Sequence, residues 1–126
     1  MAGERVLVVE DNEKNMKLVR DVLQATGYRT LEAVTGPRAV ELATEHAPDL
    51  VLMDIQLPGI DGVEALRRLR ADERTASIPV LALTAQAMHG DRERFLAAGF
   101  DGYLSKPVNI IELVATVKQY CEGRAR

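Results

Sequence analysis

Residues 50 to 59 read LVLMDIQLPG, an apolar run from Leu50 to Met53 of the kind found in a fully buried strand, closed by a charge, Asp54, that is costly to bury. A carboxylate in that place opens the loop that LPG then turns, or it is a nucleophile, or it is a metal ligand; one aspartate does not choose among these. Residues of similar chemical promise close other apolar runs: Glu10 and Asp11 after RVLVV, Thr84 after VLAL, and Lys106 with Pro107 after YLS. Three carboxylates drawn together would repel one another and call for a cation. Oxygen donors with no His or Cys beside them favour a hard ion, and Mg²⁺ is usually held by few carboxylates while keeping waters for a phosphate. Lys106 would add a compact positive charge and Thr84 a hydroxyl donor, the group types that neutralise phosphoryl oxygens. The chemistry implied is phosphoryl transfer to a carboxylate, with Asp54 the covalent acceptor.

For these residues to meet, the runs that carry them must be neighbouring strands pointing the same way. Strand-like runs and helix-like periods alternate five times along the chain. RVLVV leads into EDN, after which Met16, Val19, Val22 and Leu23 recur at helical spacing up to Gly27, a natural stop. YRTLEAV alternates like a less buried strand, and GPRAVELATEHAP follows with Ala39, Val40 and Ala43 on one face and Pro37 near its start. DLVLMD precedes the helix around GVEALRRLR, for which Asp61 is a cap. IPVLALTA is paired with DRERFLAAG, ended by Gly99, and GYLSKP with NIIELVATVKQYC, where Asn109 and Glu112 stand at capping-box spacing. Parallel strands need crossover connections, so five such units predict an open α/β sheet, doubly wound, with helices on both faces. Ligands bind such sheets outside the carboxyl ends of the strands. Singly, Asp54 reads as a loop opener, Lys106 as a solvated loop charge and the Asp-Asn of EDN equally as a helix cap or a metal ligand; their coincidence at strand ends is what favours a phosphate-and-magnesium site. The second strand offers nothing comparable, which suits an edge.

At 126 residues the chain is expected to form one domain, residues 1–126, with a core over about 4–122 and a frayed polar tail at 123–126. Sixteen Lys and Arg against 19 Asp and Glu, net charge −3, argue against nucleic-acid binding. A single cysteine, Cys121, forms no internal disulfide and reads as a packing residue. With no signal-peptide pattern and no run of about 18 apolar residues, a cytoplasmic protein without a membrane span is expected. RRLR at 67 to 70 and RER at 92 to 94 read as solvated helix faces, and His46 and His89 receive no catalytic role.

The order VLVVEDN, DLVLMDIQLPGIDG, VLALTA and YLSKP resembles the receiver (CheY-like) domain of two-component response regulators along nearly the whole chain, with Thr84 30 residues after Asp54 and Lys106 22 after Thr84. Within that family VEDNEKNMKLV, LMDIQLPG and LTAQAMHGDRERF look like single-domain regulators of the DivK type and like hybrid-kinase receivers. The resemblance implies a flavodoxin-like sheet of strand order 2-1-3-4-5. It also implies Mg²⁺, with Mn²⁺ as an alternative, held by Asp11, Asp54 and the backbone carbonyl of Gln56, Glu10 helping through water where many relatives carry a second Asp. Asp54 would take a phosphoryl group from a phosphohistidine, Thr84 and Lys106 would contact its oxygens, and small Ala85 would leave room. A cis peptide is implied between Lys106 and Pro107. Thr84 and Tyr103 would form a switch that alters the surface of the fourth helix, fifth strand and fifth helix. Gln56 and Gln86 occupy the two positions that influence the lifetime of the acyl phosphate.

The resulting expectation is a phosphoacceptor signalling domain rather than an enzyme acting on external substrates, a monomer or weak dimer. Its partners would be a histidine kinase or histidine phosphotransfer protein upstream and a protein target downstream; the initiating Met and short polar tail favour a stand-alone receiver over one cut from a hybrid protein. A haloacid-dehalogenase-like phosphatase would need an acid two residues after Asp54, where Gln56 stands. A flavodoxin-like cofactor binder would need a phosphate loop after the first strand, where EDNEKN presents negative charge instead. A receiver making only static contacts is disfavoured by the intact Asp, Thr and Lys set.

Overall fold

The structure, a computed structural model, describes residues 3–57, 59–85 and 91–124, without the side chains of residues 91, 92 and 122–124. Gln86 and His89, and the side chain of Arg92, therefore lie outside the described residues. Among the described residues ten elements alternate: β1 (Arg5–Val9), α1 (Glu13–Ala25), β2 (Arg29–Ala33), α2 (Gly36–His46), β3 (Leu50–Asp54), α3 (Gly62–Ala71), β4 (Val80–Thr84), α4 (Asp91–Ala98), β5 (Gly102–Ser105) and α5 (Ile110–Arg124). All four strand pairings are parallel and the sheet order is β2-β1-β3-β4-β5, the doubly wound arrangement expected from the sequence.

The apolar runs become the three central strands because helices cover both sides of them. Val6 to Val9, Leu50 to Met53 and Val80 to Leu83 are fully buried. Successive side chains point to opposite faces, so each strand feeds two cores. Leu7, Val9, Val51, Met53, Val80 and Ala82 pack with Ala39, Leu42, Leu66, Leu69 and Phe95 of α2, α3 and α4. Val6, Val8, Leu50, Leu52, Leu81 and Leu83 pack with Met16, Val19, Leu23, Leu113, Val117 and Cys121 of α1 and α5. β2 lies at the edge, its exposed Arg29 and Glu32 discouraging further strand pairing.

Four of the helices begin where a side chain satisfies a free backbone amide. Asn12, Thr35 and Asp61 accept from the amides of Asn15, Arg38 and Glu64 at the starts of α1, α2 and α3, and Asn109 Oδ1 accepts from Glu112 N at the start of α5. Gly27 and Gly99, with φ of 101° and 112°, turn the chain out of α1 and α4. α5 continues to Arg124, into the stretch read as a frayed tail.

One side chain departs from its sequence reading. Arg67 and Arg68 lie on the exposed face of α3 and pair with Glu64, but Arg70 of the same RRLR segment is turned inward. Its guanidinium donates to the carbonyls of Ala76 (3.1 Å), Ile78 (2.6 Å) and Gly99 (3.2 Å) and to Asp101 Oδ2 (2.8 Å). Asp101 Oδ2 also accepts from Val80 N, and the Asp101 carbonyl accepts from Tyr120 Oη, both at 2.8 Å. Five donors in a planar fork suit this many converging carbonyls, whereas a lysine ammonium could not span them. Among the described residues no helix is long and apolar enough to cross a membrane.

Candidate functional site

Because β1, β3, β4 and β5 are consecutive in the sheet and parallel, their carboxyl ends open onto one pole, and the four chemically notable segments arrive there together. Glu10 follows β1 and is 1% exposed, while Asp11 beside it is exposed. Asp54 ends β3 and Thr84 ends β4, each 3% exposed. Lys106 follows β5 and is tied to its neighbour strand by donation from its amide to the Thr84 carbonyl, 2.9 Å.

The carboxylates are held from several sides. Lys106 Nζ lies 2.7 Å from Asp54 Oδ2 and 3.0 Å from Glu10 Oε1, bridging the ends of β3 and β1. Asp54 Oδ1 accepts from the Gln56 amide at 2.9 Å, and Glu10 Oε2 from the Asn12 amide at 3.1 Å. Burial pushes the Glu10 carboxyl above its ordinary range; Lys106 and the Asn12 amide oppose this and nearby Asp54 adds to it. Burial pulls the Lys106 ammonium down, but its contacts to Asp54 and Glu10 outweigh that, so the net shift is upward and the group is charged at neutral pH.

One acceptor among the described residues of this site has no hydrogen bond. Glu10 Oε1 is fully enclosed and, although within ion-pairing distance of Lys106, has no partner in hydrogen-bonding geometry. Glu10, Asp11 and Asp54 each offer an oxygen, all within 4.8 Å of one another. A buried, incompletely satisfied carboxylate oxygen beside two more, with no nitrogen or sulfur donor in the group, fits a hard divalent ion such as Mg²⁺ and the water it carries.

The structure brings Glu10, Asp11, Asp54, the Gln56 backbone, Thr84 and Lys106 to one pole. EDN serves two roles at once, Glu10 and Asp11 facing the site while Asn12 caps α1. The peptide between Lys106 and Pro107 is cis, as the resemblance implied. Tyr103 is set apart, half-buried on β5 against the core beneath α2, α3 and α4, and lines a groove of about 450 Å³ with Leu96, Glu112, Thr116 and Tyr120. The ion pair between Lys106 and Glu10 was missed in the sequence, where Glu10 appears as a metal helper alone. The signal lay in the topology, since β1 and β3 are adjacent and any cation reaching one carboxylate reaches the other.

Sheet order and site together define a CheY-like signalling fold. Residues 6–118 match the response regulator receiver domain family, and the chain belongs to that family. Among characterised relatives it is similar to the polar-differentiation response regulator DivK of Brucella ovis, 50% identical over 115 residues that cover 91% of this chain and 94% of the relative, and to DivK of Brucella anthropi at 49% over the same shares. Among solved structures it is similar to the receiver domain of a sensor histidine kinase from Pseudomonas aeruginosa PAO1, described with a magnesium ion coordinated in its active site cleft (TM-score 0.88, 40% identity, 96% of this chain and 99% of that one). The chemotaxis response regulator CheY4 of Vibrio cholerae superimposes equally well, with TM-score 0.88 at 27% identity over 94% of this chain and 99% of that one.

Proposed function

We propose that the chain is a single-domain receiver of a two-component phosphorelay, in which Asp54 accepts a phosphoryl group from a phosphohistidine of a histidine kinase or histidine phosphotransfer protein. The observation that carries this reading is the Lys106 bridge. A half-buried lysine held 2.7 Å from the acceptor oxygen is already placed to follow negative charge as it passes onto an incoming phosphoryl group. Asp11, Asp54 and the Gln56 carbonyl would hold Mg²⁺, or Mn²⁺ in its place, with Glu10 acting through water. When bound, the ion supplies charge neutralisation to the phosphoryl oxygens.

The remaining work belongs to the chain. The Gln56 amide fixes Asp54 Oδ1 and so leaves the carboxylate a single orientation for attack. An Asp54 oxygen forms the new bond to phosphorus as the phosphorus–nitrogen bond of the donor breaks, its electron pair returning to the imidazole nitrogen, which takes up a proton. Lys106 moves its donation from Asp54 to a phosphoryl oxygen, and the Thr84 hydroxyl donates to another. Thr84 drawn toward the phosphate, with Tyr103 rotating inward, would alter the surface of α4, β5 and α5 for a downstream protein partner. The chain acts on itself alone, by phosphoryl transfer and autodephosphorylation, as a monomer or weak dimer in the cytoplasm, without nucleic acid or membrane.

The test is intact mass after incubation with acetyl phosphate, with and without Mg²⁺. A magnesium-dependent gain of one phosphoryl group, absent in Asp54→Asn, is expected. Full labelling of Asp54→Asn, or no labelling of wild type by acetyl phosphate and by a phosphohistidine donor alike, would sink the assignment.

A further inference from the structure

The loop from Ile55 to Asp61 carries the Gln56 backbone beside the acceptor. Its ends are fixed by the Gln56 amide on Asp54 Oδ1, by donation from Gly62 N to the Ile55 carbonyl at 2.9 Å, and by Asp61 capping α3. Its outer part meets a different element. A β-carbon on Gly36, the first residue of α2, would lie 2.4 Å from Ile60 Cγ1, 2.9 Å from Ile60 Cδ1 and 3.1 Å from the Ile60 carbonyl oxygen. Gly36 is buried and its φ is not in the left-handed region, so the site requires glycine for space rather than for backbone conformation. Ile60 therefore occupies the volume that any side chain at 36 would need, and it packs against the core under α2 and α3.

We propose that Gly36 is a positioning residue for the acceptor loop: Ile60 seats on the bare backbone at Gly36, and that seat sets where the Gln56 carbonyl is presented to Mg²⁺ beside Asp54. The inference rests on the phosphoacceptor reading and extends it to a residue that touches neither the ion nor the phosphoryl group. A methyl at 36 would displace Ile60 at both its side chain and its carbonyl, and Ile60 stands only four residues (60 less 56) from Gln56. Groups that hydrogen-bond to metal ligands are typically worth about 10–100-fold in metal affinity, and a packing contact that positions a ligand through the chain is expected at the low end of that range.

The test measures Mg²⁺ affinity from the metal-dependent rise in Tm, alongside acetyl phosphate labelling, in four variants. Gly36→Ala is expected to bind Mg²⁺ about tenfold more weakly. Ile60→Ala, which opens space instead of filling it, removes the seat from the other side and should also weaken binding. In Gly36→Ala/Ile60→Ala the new methyl takes up part of the vacated room, and affinity should recover to within about threefold of wild type, a coupling that two independent losses of stability would not produce. Gly102→Ala, whose β-carbon would meet Tyr120 Oη at 2.8 Å at the far pole, is the control for destabilisation and should leave Mg²⁺ affinity unchanged. A double variant no better than Gly36→Ala, or an Ile60→Ala variant of normal affinity, overturns the proposal while wild-type labelling keeps the phosphoacceptor reading. Wild type that neither responds to Mg²⁺ nor labels removes both.

Discussion

Lys106 is held in place by the charges it neutralises, and this sets what its removal does. In Lys106→Ala, Asp54 and Glu10 lose their shared cation in an enclosed site, and such uncompensated charge costs several kcal/mol when wholly buried. With the Lys106 side chain 19% exposed, the expected loss is about 2 kcal/mol in metal-free protein, read by urea unfolding, and it should shrink when Mg²⁺ is added. Glu10→Gln is expected to act in the opposite direction. It removes the most deeply enclosed of the three charges, so metal-free protein should melt at a higher temperature than wild type while responding less to Mg²⁺; a lower melting temperature would show that the Lys106 pairing outweighs the burial. Asp54, Thr84 and Lys106 were legible in the sequence because each ends an apolar run, and the run itself shows the direction of the strand. Arg70 was not legible. Nothing in RRLR distinguishes the arginine turned toward four backbone and carboxylate acceptors from the two that face water, since the acceptors come from the segment after α3 and from the turn before β5.

At the scale of the elements, α3 is fixed at its start by Asp61 and Gly62, and these contribute differently. A β-carbon on Gly62 would lie 2.5 Å from the Asp54 carbonyl oxygen, a backbone atom that cannot step aside, so Gly62→Ala is expected to cost about 2 kcal/mol or more by denaturant titration. Glu64, one turn in, has its carboxyl held down to about 2 by Arg67 and then Arg68. A lowered carboxyl stabilises the fold above its unfolded value of 4.5 and loses that contribution as pH falls toward 2. Since both arginines are exposed and Glu64 lies at the surface beside them, the effect is small and screened by salt. Thermal melts of wild type and Glu64→Gln should therefore differ slightly at pH 7 in low salt, converge toward pH 2, and nearly coincide at pH 7 in 1 M salt; a difference unchanged by salt would mean that Glu64 acts through packing. The helices were legible from their caps and stops because Asn12, Asp61, Gly27 and Gly99 act locally. The end of α5 was less so, because its polar final turn carries no apolar period to mark it.

Across the whole molecule, the three central strands are closed from water on both faces while β2 and β5 each lack a neighbour on one side. Amide exchange should consequently be slowest in β1, β3 and β4, approaching the global unfolding free energy, and faster in β2 and β5; protection in β2 equal to that in β1 would contradict the sheet order. Strand order came from resemblance rather than from the pattern of residues, which gave five parallel units and an edge for the second strand but no sequence of neighbours. The surface of α4, β5 and α5 came from the resemblance, but the groove in it beside Tyr103 did not, since it is formed where three elements meet and each contributes a few residues.

The inward turn of Arg70 also bears on how the chain could be re-engineered. Residues 72 to 79 connect α3 to β4 and are mostly polar in sequence, the sort of place chosen for grafting a reporter or moving the termini, yet Thr75 and Ile78 are buried. Here the carbonyls of Ala76 and Ile78 are tied to Arg70, and Thr75 Oγ1 donates to the Leu69 carbonyl at 2.6 Å, so the segment is laced to the end of its own helix. A graft between Ala76 and Ile78 would unlace the turn at Gly99 and Asp101 as well, since the same guanidinium holds both. The tip before α2, at Val34, is exposed, but Gly36 two residues on has no room to spare. For this chain, polarity and exposure are a poor map of where a foreign segment can be spliced; the hydrogen bonds of the backbone are the better one.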